Sequence, residues 1–332
     1  MMSSVLLLGL ISLPRIETTQ AINDFQRETN FVGMSVAVWR NGQVEYARSF
    51  GYEDREKDIP ANEKTIYRLG SISKPITAIT LMKLVEGGKL NLKDDVRTWV
   101  PDWPEDKPGI TLQHIMLHTS GIRHYSPIEK PVFENYASAR LALDLFKNDK
   151  LIGGVGEKFS YSTHAWTLAG AAMESASGQS LPKLVAEISG PDSSLRCEDL
   201  TQPSPERRSA LYRAVEDKES TLESKREDNS WKYAGGGMES SASDLAQFIS
   251  RYLAGDVLQP KTVSQMTTAI RNGRGLGWGV SGDMIIHGGS QQGCSTYFCA
   301  FKSSRTVVVI LSNTERLPIK EIGDRVAAIW RR

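Results

Sequence analysis

The stretch Arg68-Leu69-Gly70-Ser71-Ile72-Ser73-Lys74-Pro75 contains a serine that precedes a lysine by three positions. Apolar residues follow it at helical spacing and Gly87-Gly88 close the pattern, which predicts a buried helix over 73–85. Positions i and i+3 share a helix face, so the Lys74 amine is expected beside the Ser71 hydroxyl. A serine becomes a nucleophile when a base takes its proton, and a desolvated lysine can be that base.

The same spacing occurs once more, in Ser180-Leu181-Pro182-Lys183. There the serine is predicted to cap a helix whose first turn holds Pro182. Ser71 instead lies between a strand-like segment and a long apolar helix, which would hold a nucleophile rigidly at the edge of a sheet. The sequence therefore assigns the nucleophile to Ser71 and its base to Lys74.

Strand-like and helix-like patterns are distributed unevenly along the chain. Near the N-terminus, a helical pattern around 19–30 precedes two strand patterns, 32–40 and 44–50, joined by the turn signal Asn41-Gly42. Near the C-terminus, four strand patterns and a closing helix are predicted at 277–280, 284–287, 296–302, 306–312 and 319–330. Between these ends, helical patterns occur at 112–117, 137–146, 165–176, 181–188 and 242–253. The charged segment 204–229 lacks an apolar period and predicts an exposed helix or a mobile excursion.

Strands at both ends with helices between them predict an α+β fold, an α/β sandwich. We expect one antiparallel sheet built from both termini and flanked by helices, with a mostly helical region inserted. A single catalytic domain is expected over 17–332, with its sheet region at about 17–70 and 270–332 and its helical region at about 71–269.

Residues 1–16 contain an apolar run that is too short to span a bilayer. The run resembles the central part of a signal peptide, but no positive charge precedes it and no small-residue cleavage motif follows. A weak signal and an ordinary apolar leader therefore both stay open.

Charge and cysteine usage exclude several classes of function. Lys and Arg number 40 against 39 Asp and Glu, so no global field would recruit nucleic acid or an anionic membrane. The three cysteines have no C-x-x-C spacing and are expected as unpaired thiols. His114 and His118 stand four positions apart, but without the glutamate and third ligand of a zinc site, so no metal is expected.

Two further segments carry chemistry. Tyr161 precedes an apolar helix in Ser160-Tyr161-Ser162-Thr163, and a phenol near a lysine can relay protons to a leaving group. His287-Gly288-Gly289-Ser290 is expected at the end of a strand, where glycines let the backbone approach a substrate and present N–H groups to an oxyanion.

Taken in order, these elements read S-x-x-K, Y-x-[NT] and H-x-G, and they resemble the serine beta-lactamase and penicillin-binding-protein superfamily. Four more segments resemble the branch that contains the mitochondrial serine beta-lactamase-like proteins and their bacterial relatives: LHTSGIRHY at 117–125, SYST at 160–163, YAGGGM at 233–238 and GLGWG at 275–279. The resemblance extends from about Phe31 to the C-terminus.

The resemblance implies roles for individual residues. Ser71 would be acylated, with Lys74 as its base partner and Tyr161 assisting proton transfer. The backbone N–H groups of Ser71 and Ser290 would form the oxyanion hole.

Three positions at the predicted site depart from the common pattern of the superfamily. His287 takes the place of the lysine of K-T-G, and Gly288 stands where a hydroxyl residue often sits, with Gly289 beside them at the substrate-binding edge. Thr163 stands where asparagine is more usual. These changes weaken the positive charge that would hold a beta-lactam carboxylate and remove an amide, so weak or no penicillin hydrolysis is expected.

The resemblance thus implies a serine hydrolase that forms an acyl-enzyme on an ester, an amide or a peptide, without a cofactor. Nucleic acid and a stable membrane span are not expected, whereas a homo-oligomer is possible. Export is expected for a bacterial chain and a mitochondrial location for a eukaryotic one. The alternative is an inactive protein that retains the fold as a scaffold or binding module and self-assembles.

Overall fold

A computed structural model describes residues 12–126, 133–214 and 221–331. Its helices are α1 (Leu13–Thr29), α2 (Ser73–Glu86), α3 (Leu112–Met116), α4 (His164–Ser177), α5 (Leu181–Ser189), α6 (Tyr233–Gly236), α7 (Ala242–Ala254), α8 (Pro260–Met266) and α9 (Ile319–Arg331). Its strands are β1 (Gly33–Arg40), β2 (Gln43–Asp54), β3 (Ile59–Pro60), β4 (Tyr67–Arg68), β5 (Arg196–Cys197), β6 (Tyr212–Ala214), β7 (Thr221–Glu223), β8 (Met238–Ser240), β9 (Gly279–Ser281), β10 (Met284–Gln291), β11 (Cys294–Phe301) and β12 (Thr306–Ser312).

The main sheet joins the two ends of the chain. Its strand order is β3-β2-β1-β12-β11-β10-β9, with antiparallel pairing throughout. The central pair, β1 and β12, places Val36 opposite Ile310. The predicted fold class, an antiparallel sheet built from both termini and flanked by helices, is therefore confirmed.

Side-chain alternation along the central strands divides the core into two layers. Val308 and Ile310 of β12 pack with α1 and α9 on one face of the sheet. Val309 and Leu311 pack on the other face, in the larger core that includes α2, α4 and α7. Because successive side chains of a strand point to opposite faces, an almost continuous apolar strand is buried on both sides.

The start of the first helix differs from its predicted position. Helix α1 begins at Leu13, within the segment 1–16 that the sequence suggested as a leader, and residues 1–11 lie outside the described part of the chain. Among the described residues, no helix combines the length and apolar character needed to cross a bilayer.

The helix predicted at 137–146 is wrong. The segment contains only a 3-10 helix, Leu141–Leu145. Its N-terminal backbone is held by other elements, since Ala139 N donates to Glu174 Oε2 at 2.9 Å and Tyr136 N donates to Ser230 Oγ at 2.7 Å. Further along, Leu143 N bonds to the Arg140 carbonyl and Phe146 N to the Leu143 carbonyl, which are i→i−3 bonds in place of the i→i−4 bonds of an α-helix.

Of the two alternatives predicted at 204–229, the exposed helix is wrong for the described residues, which exclude 215–220, and the mobile excursion stays a prediction. Strands β6 and β7 pair as a hairpin here, and the Tyr212 side chain is buried. Two arginines of this segment form partly buried ion pairs with buried glutamates: Arg226 contacts Glu198, and Arg208 Nη2 lies 2.7 Å from Glu239 Oε1. Buried ion pairs of this kind cannot be told from surface charge by composition.

Candidate active site

The predicted nucleophile lies where the helical region meets the sheet. Ser71 is half-buried in a 3-10 turn, Gly70–Ile72, that connects β4 to α2. The turn starts at Gly70 with φ +53°, a left-handed backbone conformation that side chains other than glycine adopt with strain. A strand and a buried helix therefore fix the position of the serine from both sides.

Lys74 lies one helical turn further on, and its side chain is fully buried. Its Nζ donates hydrogen bonds to Ser71 Oγ at 3.2 Å, to Thr163 Oγ1 at 3.0 Å and to the Gly235 carbonyl at 2.5 Å. Burial, and then the positive charge of Lys232, hold the pKa of Lys74 well below its usual value.

Tyr161 contacts the same serine from the opposite side. Its hydroxyl donates to Ser71 Oγ at 2.7 Å, and Lys74 Nζ lies 4.7 Å from the centre of its ring. Burial raises the pKa of Tyr161 to about 12, although its bond to Ser71 acts in the opposite direction. The phenol is therefore neutral and a donor at pH 7.

Two histidines position the segment that carries Tyr161. The His118 ring stacks on the Tyr161 ring, with centroids 4.4 Å apart, and its Nδ1 accepts a bond from Ser162 N at 3.1 Å. His124 Nδ1 accepts from Thr163 N at 3.2 Å. Burial, followed by the charge of Lys74, lowers the pKa of both rings, that of His124 to about 4. These neutral rings were not predicted as positioning groups, because spacing alone cannot show which backbone N–H a side chain will meet.

The segment 287–290 lies within strand β10, which continues to Gln291, so the strand is four residues longer than the predicted 284–287. Strand β9 pairs with β10 only at 284–286, which leaves the following residues to face the nucleophile. A Cβ on Gly289 would lie 2.8 Å from Ser71 N, and one on Gly70 would lie 3.2 Å from Ser290 N. The two N–H groups predicted for the oxyanion hole are thus on backbone segments in direct contact.

The remaining residues of the motif have different surroundings. His287 is almost entirely buried, and its Nδ1 lies 2.7 Å from the carbonyl of Gly288. Burial, with Lys74 second, lowers the pKa of His287 to about 3. No bond joins this side chain to the Ser71, Lys74 or Tyr161 side chain among the described residues. Gly288 is exposed beside it.

A cavity of about 970 Å³ reaches the candidate site at Ser290, although the Ser71, Lys74 and Tyr161 side chains do not line it. Ser290 lies on its wall, together with Tyr125, Trp231, Lys232 and Gln291. The last three of these were not predicted as site residues, because they belong to no motif and meet only in the folded chain. Among the described residues, no group of three or more His, Cys, Asp or Glu side chains could hold a metal ion.

The fold and site define a beta-lactamase/transpeptidase-like protein, with S-x-x-K at the junction of an antiparallel sheet and a helical region. The chain belongs to the beta-lactamase family, whose model, described as "Beta-lactamase", matches residues 18–329.

Three similar proteins illustrate the range of the family. The chain is 26% identical over 358 residues to the mitochondrial serine beta-lactamase-like protein LACTB of Homo sapiens, covering 81% of this chain and 64% of that protein. It is 36% identical over 104 residues to esterase EstB of Burkholderia gladioli, covering 30% and 26%. The crystal structure of the D-amino acid amidase of Ochrobactrum anthropi SV3 superposes with a TM-score of 0.83 at 18% identity, covering 96% and 99%. The chain spans 64–65% of the length of its mitochondrial relatives.

Proposed function

We propose that the chain is a serine hydrolase that cleaves an ester or amide through a covalent acyl-enzyme on Ser71. One observation carries the proposal: Ser71 Oγ is bonded to both Lys74 Nζ and Tyr161 OH, at 3.2 and 2.7 Å. The family to which the chain belongs, and its likeness to an esterase and to the fold of an amidase, support it.

The contacts of Lys74 suit a neutral amine. Such an amine has two N–H groups and one lone pair. Thr163 Oγ1 and the Gly235 carbonyl can accept the two N–H groups. In this neutral state the 3.2 Å bond between Lys74 and Ser71 reverses its direction, because the lone pair of Nζ accepts the Ser71 hydroxyl proton. Because the pKa of Lys74 is lowered and that of Tyr161 is raised, the lysine is the base and the tyrosine is a donor.

The proposed reaction then follows in two halves. Ser71 Oγ attacks the carbonyl carbon while its proton passes to Lys74 Nζ, and the N–H groups of Ser71 and Ser290 stabilise the oxyanion. The bond to the leaving group breaks, and the leaving oxygen or nitrogen takes its proton from Lys74 through Tyr161. Water attacks the acyl-enzyme in the second half, gives one proton to Lys74, and that proton returns to Ser71 as the acid departs.

Penicillin hydrolysis is proposed to be weak or absent. A beta-lactam carboxylate needs a fixed positive charge, and burial keeps His287, which replaces the lysine of K-T-G, neutral at pH 7. Thr163 donates or accepts through one hydroxyl where an asparagine would offer an amide. Esters, amides and short D-amino peptides are therefore the proposed substrate classes.

Intact-protein mass spectrometry tests the proposal. The protein is mixed with p-nitrophenyl butyrate, a D-Ala-D-Ala peptide and a penicillin, beside Ser71→Ala and the matched control Ser180→Ala from the second S-x-x-K sequence. An acyl adduct or turnover in wild type and Ser180→Ala, absent from Ser71→Ala, is expected. No adduct with any substrate and no labelling of Ser71 by a fluorophosphonate would contradict the proposal and favour a non-catalytic scaffold.

A further inference from the structure

The wall of the cavity presents two hydrogen-bond donors that lack acceptors in the described part of the chain. Lys232 is only 6% exposed, and its Nζ lies 5.0 Å from the ring centroid of Trp231 and 5.4 Å from that of Tyr125. Aromatic faces attract an ammonium group but do not replace an acceptor for each of its N–H bonds. The second donor is the amide nitrogen of Gln291, which is buried without a partner among the described residues.

The side chains of Lys232 and Gln291 both approach Gly236. A Cβ on Gly236 would lie 3.3 Å from Gln291 Oε1 and 3.7 Å from Lys232 Cδ, so both side chains pack against that residue. The preceding residue, Gly235, holds Lys74 through its carbonyl, and the residue before Gln291 is Ser290. Gly236, which both side chains approach, therefore adjoins the residue that holds the base, and Gln291 adjoins a residue proposed for the oxyanion hole.

The other cations buried nearby are paired, and Lys232 is not. Arg68 and Arg226 both bond to Glu198, with 2.8 Å between Arg68 Nη2 and Glu198 Oε2. Glu227 acts on Lys232 electrostatically and lines the same cavity, but no carboxylate of the described residues lies within 4.0 Å of Lys232 Nζ. Buried charges in proteins are ordinarily paired, so an unpaired one facing a cavity points to a ligand that supplies the counter-charge.

We propose that Lys232 and Gln291 form an anion subsite that binds a carboxylate on the substrate, beside the ester or amide bond that Ser71 attacks. This inference rests on the proposed function, because it concerns the substrate of the same site. In this chain the positive charge that the lysine of K-T-G would supply comes instead from Lys232, directly before α6. Substrates with a second, negatively charged group are then preferred over neutral ones.

Matched pairs of esters test the subsite. One pair places the charge on the acyl side, as mono(4-nitrophenyl) adipate and the corresponding adipamide ester. The other places it on the leaving group, as 4-carboxyphenyl butyrate and 4-carbamoylphenyl butyrate. The readout is the ratio of kcat/KM for carboxylate over carboxamide within each protein, so that a general change in catalytic rate cancels.

At least one pair is expected to give a ratio of about ten or more in wild type, since a charge-assisted hydrogen bond distinguishes the two groups. Lys232→Met should bring the ratio close to one, and Lys232→Arg should retain most of it. Gln291→Leu should lower it several-fold. Lys225→Met is the control, because Lys225 is an exposed cation on the wall of the same cavity, and its ratio should match wild type.

Calorimetry on Ser71→Ala separates failure of the subsite from failure of the proposed function. The intact carboxylate ester is expected to bind about tenfold more tightly than the carboxamide, and Lys232→Met should abolish the difference. Equal affinities, or binding of neither ester, overturn the subsite whether or not the wild type hydrolyses esters. A preserved difference in affinity without hydrolysis by wild type supports the subsite and contradicts the proposed function.

Discussion

Two adjacent glycines of β10 should respond in opposite ways to the same substitution. A Cβ on Gly289 would lie 2.3 Å from the Leu69 carbonyl oxygen, 2.4 Å from Thr296 Oγ1 and 2.8 Å from Ser71 N. Two of these atoms belong to backbone, so the strand and the nucleophile turn would have to separate. A Cβ on Gly288 would meet only the Thr296 carbonyl oxygen, at an ordinary 3.4 Å.

The magnitudes follow from these contacts. Gly289→Ala overpacks a buried junction, and we expect its free energy of unfolding to fall by about 1–3 kcal/mol. The displacement also moves Ser71 N or Ser290 N from the proposed oxyanion position, and losing one such donor lowers kcat by about 10²- to 10³-fold. Gly288→Ala causes no clash in the folded state and reduces the conformational entropy of the unfolded chain. Its free energy of unfolding should therefore match that of wild type or rise by up to about 1 kcal/mol.

Denaturant unfolding and the kcat/KM for p-nitrophenyl butyrate measure the two effects separately. Gly289→Ala should remain folded at 25 °C but lose activity, while Gly288→Ala should retain activity within about threefold. Wild-type activity in a stable Gly289→Ala protein would refute the view that close approach of β10 to Ser71 creates the site. Equal losses in both variants would refute it as well, because the contacts differ.

Three further predictions concern the proton-transfer groups. Tyr161→Phe should lower kcat/KM about 10²-fold with unchanged unfolding, because only the hydroxyl that donates to Ser71 is lost; near-normal turnover would remove Tyr161 from the mechanism. Lys74→Met should lower kcat by at least about 10³-fold, whereas Lys183→Met, in the exposed second S-x-x-K sequence, should not change it. Lys232→Met should shift the acid limb of the kcat/KM–pH profile for a neutral ester to higher pH, because removing a positive charge raises the pKa of Lys74; the same limb in both proteins would show that Lys232 does not act on the base.

Sequence patterns predicted the features that are set by residues close together in the chain. Helix α2 and the pairing of Ser71 with Lys74 follow from helical spacing, and the structure places those two side chains 3.2 Å apart. The antiparallel sheet followed from the strands at both ends. The prediction that Tyr161 acts with Ser71 rested instead on the family resemblance, because helical or strand periodicity relates only residues that are close in sequence.

The features that the sequence could not predict are contacts between residues that lie far apart in the chain. Lys232 lies three residues after the segment 204–229, whose charge suggests an exposed surface, yet that segment is held by ion pairs to Glu198 and Glu239. Lys232 and Gln291 come from separate elements, and only the folded chain brings both side chains to Gly236 and to the wall of one cavity. A lone lysine without a motif carries no sign that it is buried, so the proposed anion subsite required the structure.

Substrate recognition and base strength are linked at Lys232 if the proposed subsite is occupied as inferred. Its pKa is lowered to about 8, chiefly by burial, so Lys232 stays largely charged at pH 7 and depresses the pKa of Lys74 in the free enzyme. A carboxylate bound to Lys232 would offset that charge and raise the pKa of Lys74 in the complex. The lysine would then be a weak proton acceptor while the subsite is empty and a stronger one once a charged substrate is in place. Binding energy at the subsite would thereby strengthen the base that activates Ser71, at the cost of requiring a higher pH to deprotonate it.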